Sequence, residues 1–129
     1  MRVEAKILLV EDDVSMGYLL TTILQTEGYG PRLCIDGETA LKEFIPGYYD
    51  LCVLDVMMPG MDGFGLVEEL KLDPRTRDIP VVVVSAKDIT AEERRRLNGN
   101  IEALYQKGSL QPRKFVDQLI HTIEDKNGA

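Results

Sequence analysis

The sequence predicts an α/β fold in which five parallel strands alternate with five helices. Short apolar runs of strand length recur along the chain, and each is followed by a stretch whose apolar residues recur with a helical period. Strict alternation of this kind requires parallel strands joined by right-handed crossovers, so the helices must cover both faces of one sheet. Among doubly wound sheets of five strands the flavodoxin-like order 2-1-3-4-5 is common. We expect this order in a single domain over residues 1–129.

The first two strand-helix units are predicted from apolar runs and their boundaries. A strand over Lys6–Val10 leads into a helix that ends at Gly28, and a shorter strand over Leu33–Ile35 follows Pro31. Because proline cannot donate a backbone hydrogen bond, Pro31 favours a sheet edge, where the expected order places strand 2. Asp36 can cap the second helix. The predicted inward-facing residues of these two helices are Met16, Leu19, Leu20, Ile23 and Leu24, then Ala40, Leu41, Phe44 and Ile45.

The third and fourth strands are predicted as wholly apolar runs. Leu51–Leu54 is followed by a helix that begins at about Gly63 and ends near Asp73. Val81–Val84 is β-branched at every position, as expected for a strand covered on both faces. The third helix presents to the core Leu66, Val67 and Leu70.

The fourth helix is predicted to be weakly docked. Thr90 and Glu93 fit a capping box at its start, and Asn98-Gly99 ends it. Its apolar face consists mainly of Leu97. Three consecutive arginines within it are expected to be solvated and to pair with the neighbouring glutamates: Arg94, Arg95 and Arg96 with Glu92 and Glu93.

The last unit runs from a strand over Ile101–Tyr105 to a helix that begins near Pro112. His121 lies near the end of this helix without acidic company, and we expect it to be a surface cation. The inward stripe of the helix is Phe115, Val116, Leu119, Ile120 and Ile123.

Charge and cysteine content limit the partners. The 15 basic and 22 acidic side chains give a net charge of −7, which works against direct binding to nucleic acid or to acidic membranes. Near its start the chain has only four consecutive apolar residues, too few for a secretory core or a membrane span, so a cytoplasmic protein is expected. Cys34 and Cys52 lie in different strands that one strand separates, which predicts two free, buried thiols.

Reactive side chains follow the predicted strands at their carboxyl ends, which meet at one edge of a parallel sheet. Asp55 follows the third strand, and we expect it to be backed by apolar residues and open to solvent on one side. Glu11 and Asp12 follow the first strand, Ser85 and Ala86 the fourth, and Lys107 the fifth.

This set of side chains predicts a site for a phosphoryl group. Three ionised carboxylates, from Glu11, Asp12 and Asp55, cannot crowd together without a cation, and oxygen ligands favour Mg²⁺. The metal, the ammonium of Lys107 and the hydroxyl of Ser85 are the groups needed to neutralise phosphoryl oxygens. Asp55 is then the predicted nucleophile, because a carboxylate can accept a phosphoryl group as an acyl phosphate.

In order and position, these motifs resemble the receiver domain of two-component response regulators, the CheY-like family, over essentially the whole chain. One departure is Gly108, where receivers usually carry proline after the lysine. The matching segments are 7–13, 54–63, 84–86 and 105–107, with the sequences ILLVEDD, LDVMMPGMDG, VSA and YQK.

The resemblance implies a role for each site residue. It implies that Asp55 is the phosphoacceptor, and that the metal is held by Asp12 directly, by Glu11 through water, by Asp55 and by the carbonyl of Met57. Phosphoryl oxygens would be held by Ser85, by the amide of Ala86 and by Lys107. Tyr105 would be the switch residue that moves with Ser85, although an ordinary edge-strand aromatic is the alternative. Asp13 is interpreted mainly as a helix cap.

The function implied is a signalling switch that accepts phosphate from a sensor histidine kinase or a histidine phosphotransfer protein and acts on an unknown downstream protein by contact. It would catalyse only its own phosphorylation and dephosphorylation, as a monomer or weak dimer. A receiver-like scaffold that works without phosphate is one alternative. An aspartyl-phosphate phosphatase or phosphotransferase acting on small molecules is a weaker one, because Met57 stands where such enzymes need a second carboxylate. Flavin binding would need a phosphate loop after strand 1 that the sequence lacks.

Overall fold

The computed structural model describes residues 5–43, 48–58 and 62–128, which form one five-stranded parallel sheet in the order β2-β1-β3-β4-β5. The predicted fold class and strand order are confirmed. The strands are β1 Lys6–Val10, β2 Gly30–Cys34, β3 Leu51–Asp55, β4 Val81–Ser85 and β5 Ala103–Gln106. The helices are α1 Val14–Thr26, α2 Gly37–Glu43, α3 Gly63–Leu72, α4 Ala91–Leu97 and α5 Pro112–Gly128, and a 3-10 turn spans Lys107–Ser109.

The sheet is buried on both faces, because successive side chains of a strand point to opposite sides and helices cover each side. On one face Leu8, Leu54 and Val83 pack with the helices α2, α3 and α4. On the other face Ile7, Val53 and Val82 pack with α1 and α5. In the described part of the chain, no helix combines the length and the apolarity needed to cross a membrane.

The helix starts were predicted well because their caps are local. Asp13 accepts a hydrogen bond from the Met16 amide at 3.1 Å and caps α1. Asp36 accepts one from the Thr39 amide at 2.6 Å at the start of α2. Thr90 and Glu93 form the predicted capping box of α4. Asp62 caps α3 by accepting a hydrogen bond from the Gly65 amide, and this cap was not predicted from the sequence.

Both edge strands differ in their bounds from the prediction. β2 begins at Gly30 and ends at Cys34, so Pro31 lies within the strand and Ile35 lies beyond it, 57% exposed. The Gly30 amide donates to Ala5 of the neighbouring segment, so the next backbone position faces away from β1 and tolerates proline. β5 runs over Ala103–Gln106, later than the predicted 101–105.

Several side-chain predictions can also be compared with the structure. Cys34 and Cys52 are buried and free, with β1 between their strands, as predicted. Leu19 is 43% exposed rather than inward-facing, since α1 buries mainly Leu20 and Leu24. His121 does have an acidic neighbour, Asp125, at 3.6 Å one helical turn away. Some predictions concern residues or side chains outside the described part of the chain, namely Leu41, Phe44 and Ile45 of the second helix and residues 59–61 of the matching segment 54–63.

Candidate functional site

Three carboxylates lie together at the carboxyl edge of the sheet. Asp55 is the last residue of β3, and Glu11 and Asp12 directly follow the neighbouring strand β1. One oxygen atom from each carboxylate lies within 4.8 Å of the others. Glu11 and Asp55 are buried, whereas Asp12 is exposed. The parallel pairing of β1 with β3 therefore produces the crowding that the strand order predicted.

Asp55 is more enclosed than its sequence context predicts. It is 3% exposed, so the expectation of a carboxylate open to solvent on one side is wrong. Its Oδ1 accepts a hydrogen bond from the Met57 amide at 2.9 Å, and its Oδ2 accepts one from Lys107 Nζ at 2.9 Å. The turn after β3 folds an amide onto one oxygen, while the lysine covers the other.

Lys107 connects two of the carboxylates. Its Nζ donates to Glu11 Oε2 at 2.8 Å and to Asp55 Oδ2 at 2.9 Å. Its side chain is 16% exposed. Burial works against the charge of Lys107, but the hydrogen bonds to Glu11 and Asp55 outweigh burial and raise its pKa. The ammonium is therefore a fixed positive group at the mouth of the site.

Glu11 is a buried carboxylate whose pKa is raised. Burial raises its pKa from 4.5 to about 7, although Lys107 and the Asp13 amide favour the ionised form. The nearby Asp55 carboxylate also raises it. Its Oε2 accepts the Asp13 amide at 3.0 Å as well as the lysine. The single positive charge of Lys107 does not balance the negative charge of the three carboxylates. Carboxylate oxygens are ligands that suit a hard divalent cation.

Ser85 lies at the same edge but is engaged elsewhere. It is the last residue of β4, it is 1% exposed, and Val84 before it pairs with Asp55. Its hydroxyl donates to the Lys87 carbonyl at 2.6 Å and accepts from the Lys87 amide at 3.3 Å. Ala86, which follows it, is exposed. The structure thus brings Glu11, Asp12, Asp55 and Lys107 together and directs the Ser85 hydroxyl toward the loop after β4.

Tyr105 is half-buried on the edge strand β5, beside a surface groove. Its ring packs edge-on against Phe115, with ring centroids 5.0 Å apart. The groove has a volume of about 190 Å³. Its lining comprises Ser85, Lys87, Asp88, Ile89, Arg94, Leu104, Tyr105 and Gln106.

Two features of the site were missed by sequence reasoning. The peptide amides of Asp13 and Met57 hold Glu11 and Asp55, whereas Met57 was considered only for its carbonyl. Gly63 lets the start of α3 lie close to the end of β3, because a Cβ atom at this position would lie only 2.6 Å from the Val56 Cα. In the sequence, the pair Asp62-Gly63 was the feature that could have indicated this close approach.

The peptide bond at the departure Gly108 can be described. Among the described residues no peptide bond is cis, so the bond from Lys107 to Gly108 is trans.

Comparison with known proteins points to one family. The family model of the response regulator receiver domain matches residues 7–118. The transcriptional regulatory protein RprY of Bacteroides fragilis is 45% identical over 84 residues, which are 65% of this chain and 35% of RprY. The matched part is thus about a third of the length of that curated relative.

Solved structures agree with this match. The N-terminal domain of a response regulator receiver protein from Methanoculleus marisnigri is 36% identical, with a TM-score of 0.70 over 93% of this chain and 94% of that one. A CheY-like receiver domain protein from Methanospirillum hungatei has a TM-score of 0.84 and covers 98% of both chains. At 23% identity the second likeness concerns the fold alone.

Proposed function

The chain belongs to the response regulator receiver family, and from this premise we propose that it is a phosphorylation-dependent signalling switch. It accepts a phosphoryl group on Asp55 from a phosphohistidine of a sensor histidine kinase or a histidine phosphotransfer protein. The observation that carries the proposal is the setting of Asp55: a carboxylate at a strand end, with Lys107 Nζ at 2.9 Å and two further carboxylates beside it.

In the proposed transfer, an oxygen of Asp55 attacks the phosphorus atom as the bond from phosphorus to the imidazole nitrogen breaks. The imidazole keeps the electron pair of that bond and takes a proton from solvent, and Asp55 becomes an acyl phosphate. Lys107 can stabilise the negative charge throughout the transfer. Its ammonium contacts the attacking carboxylate and can donate a hydrogen bond to a phosphoryl oxygen after transfer. The chain then acts only on its own phosphoryl group. The apolar Met57 in place of a second carboxylate supports this over a phosphatase.

The acidic cluster fits Mg²⁺. The proposed ligands are the carboxylates of Glu11, Asp12 and Asp55 and the carbonyl of Met57, a set made only of hard oxygen donors. When bound, the ion supplies positive charge that offsets the repulsion between carboxylates and phosphoryl oxygens. Asp12 offers the exposed oxygen of the set, so it is the ligand most accessible from solvent.

The proposed output runs from Ser85 to the groove beside Tyr105. Once a phosphoryl group is on Asp55, the Ser85 hydroxyl exchanges the Lys87 carbonyl for a phosphoryl oxygen, and the Ala86 amide holds another. The loop after β4 and the helix α4 that follows it shift with Ser85, and Tyr105 moves into the groove that both border. A partner protein reads the new surface.

The setting of the whole protein is also a proposal. RprY is named a transcriptional regulatory protein, and that name describes a protein of which the matched part is about a third. For this chain we propose a cytoplasmic location. We also propose that it signals by protein contact, because its net charge of −7 opposes direct binding to nucleic acid.

Intact-mass measurement after incubation with acetyl phosphate and Mg²⁺ tests the proposal. We expect one added phosphoryl group on the wild type and none on Asp55→Asn. Asp78→Asn, which removes an exposed carboxylate away from the site, is the matched control and should be labelled like the wild type. Equal labelling of Asp55→Asn would refute Asp55 as the acceptor. An unlabelled wild type would favour the scaffold that works without phosphate.

A further inference from the structure

Helix α4 has little apolar surface with which to dock. Of its residues, Ala91–Leu97, only Leu97 is buried. A helix of this length is not stable without tertiary contacts. An interaction that does not depend on apolar surface would therefore help Leu97 to hold α4 in the position that the structure shows.

Arg96 provides that interaction by crossing from α4 to α3. Its Nη2 donates to Glu68 Oε1 at 2.7 Å and its Nε to Glu68 Oε2 at 3.4 Å, a two-point contact with one carboxylate. Its Nη2 also lies 3.6 Å from Asp62 Oδ2, and its guanidinium carbon lies 5.6 Å from the Phe64 ring centroid. Asn100 donates to the Arg96 carbonyl at 3.2 Å. The expected pairing with Glu92 and Glu93 is thus wrong for Arg96, which reaches the neighbouring helix instead.

The two adjacent arginines behave differently. Arg94 and Arg95 are exposed and take part in no ion pair among the described residues. The hydrogen bond from Arg96 holds the pKa of Glu68 below its usual value. Position 96 is therefore distinct within the run of three arginines.

The α3 end of this contact is joined to the acidic site. Asp62 caps α3, and Gly63 lies against the backbone of Val56, the residue that follows Asp55. The start of α3 cannot shift relative to β3 without losing this close packing. Arg96 consequently holds α4 to an element that is fixed next to the phosphoryl acceptor.

We propose that Arg96 is a positioning residue that holds α4 in the unphosphorylated arrangement, through Glu68 and Asp62, and so opposes phosphorylation of Asp55. This inference rests on the proposed function, because it assumes that α4 moves when Asp55 is phosphorylated. Asp55 is taken to accept phosphate from the arrangement that α4 adopts after phosphorylation, so a contact that favours the other arrangement lowers the population that can react. Weakening the contact should therefore loosen α4 and speed phosphorylation together.

The test compares Arg96→Gln with the matched control Arg95→Gln, and adds Glu68→Gln in the wild-type and Arg96→Gln backgrounds. Amide hydrogen exchange of residues 91–97 is measured without phosphate, and the rate of acetyl phosphate labelling is measured by intact mass. A partly exposed ion pair changes an equilibrium by roughly 1.5- to 5-fold. We expect increases of about that size in both quantities for Arg96→Gln and for Glu68→Gln, no change for Arg95→Gln, and no further effect of Glu68→Gln once Arg96 is replaced.

Four outcomes would overturn the proposal. Equal behaviour of Arg96→Gln and Arg95→Gln would make the contact incidental. Faster exchange without faster labelling would mean that Arg96 holds α4 but does not act on the site, and slower labelling would mean that the contact favours the phosphorylated arrangement. If the wild type itself takes no phosphoryl group, the proposed function fails and this coupling fails with it, while the exchange data still decide whether Arg96 holds α4.

Discussion

Replacing Glu11 by glutamine should change the pH dependence of stability in the absence of metal. Burial raises the pKa of Glu11 to about 7, against 4.5 for the free side chain. Between these values the folded protein keeps a proton on Glu11 that the unfolded chain has released. Raising the pH through this window therefore favours unfolding, and the stability that protonation contributes is lost progressively between pH 4.5 and about 7. A glutamine at this position cannot ionise, so the variant does not lose stability in this way as the pH rises.

The magnitude follows from the two pKa values. At 1.36 kcal/mol for each pH unit, a carboxyl group with a pKa of about 7 rather than 4.5 contributes on the order of 3 kcal/mol between acid and neutral pH. The side chain of Glu11 is only 8% exposed, so solvent screens this effect weakly. The free energy of unfolding of Glu11→Gln, relative to wild type, should therefore rise by about 3 kcal/mol from pH 4 to pH 8.

Urea unfolding with a chelator present, at intervals from pH 4 to pH 8, measures this difference directly. Glu92→Gln is the matched control, since Glu92 is an exposed carboxylate on α4. Its difference from the wild type should stay nearly constant over the range. Comparing each variant with the wild type at the same pH cancels the titration of the other groups.

A constant difference between Glu11→Gln and wild type over the whole range would refute this reasoning. A free energy of unfolding that rises for the wild type relative to the variant as the pH rises would also refute it. That result would show that the ion pair with Lys107 outweighs burial and keeps Glu11 ionised throughout. Saturating Mg²⁺ should remove the effect in the wild type, because the ion favours the ionised carboxylate.

Three other substitutions test separate parts of the site. Asp12→Ala should abolish metal-dependent phosphorylation and leave the melting temperature without metal unchanged or slightly raised, since it relieves repulsion among carboxylates; a large drop in that temperature would contradict this. Gly63→Ala should lower the free energy of unfolding, measured in urea, by about 1–3 kcal/mol, because its Cβ would lie 2.6 Å from the Val56 Cα. The control Gly108→Ala should be nearly neutral, because a Cβ at that position meets nothing within 4 Å. Ser85→Ala should still be labelled at Asp55 in the intact-mass assay, but phosphorylation should no longer change amide exchange in α4; a retained response would place the route to α4 elsewhere.

The fold and the location of the site could be predicted from the sequence because they depend on periodicity and on strand ends. The alternation of strand and helix signals leads to one parallel sheet, and its order places Glu11 beside Asp55. Caps such as Asp13 and Thr90 were predictable because each acts within its own first turn.

Features that depend on three-dimensional contacts could not be predicted in this way. The buried Asp55 is held by the Met57 amide and by Lys107, which is 52 residues away in the chain. The Ser85 hydroxyl turns to the Lys87 carbonyl, which no spacing indicates. Arg96 was expected to pair within its own helix, but the approach of α3 offers it Glu68, a partner 28 residues away.

Amide hydrogen exchange with and without acetyl phosphate and Mg²⁺ is the most direct test of the proposed switch. In the unphosphorylated protein, residues 91–97 of α4 should exchange faster than any other helix, because Leu97 is their only buried side chain. Phosphorylation should change the protection of α4 and of the strand that carries Tyr105, and Asp55→Asn under the same conditions should show no change. Slow exchange in α4 that phosphate leaves unaltered, in a protein that mass measurement shows to be phosphorylated, would contradict a signal passing through Ser85 to this face.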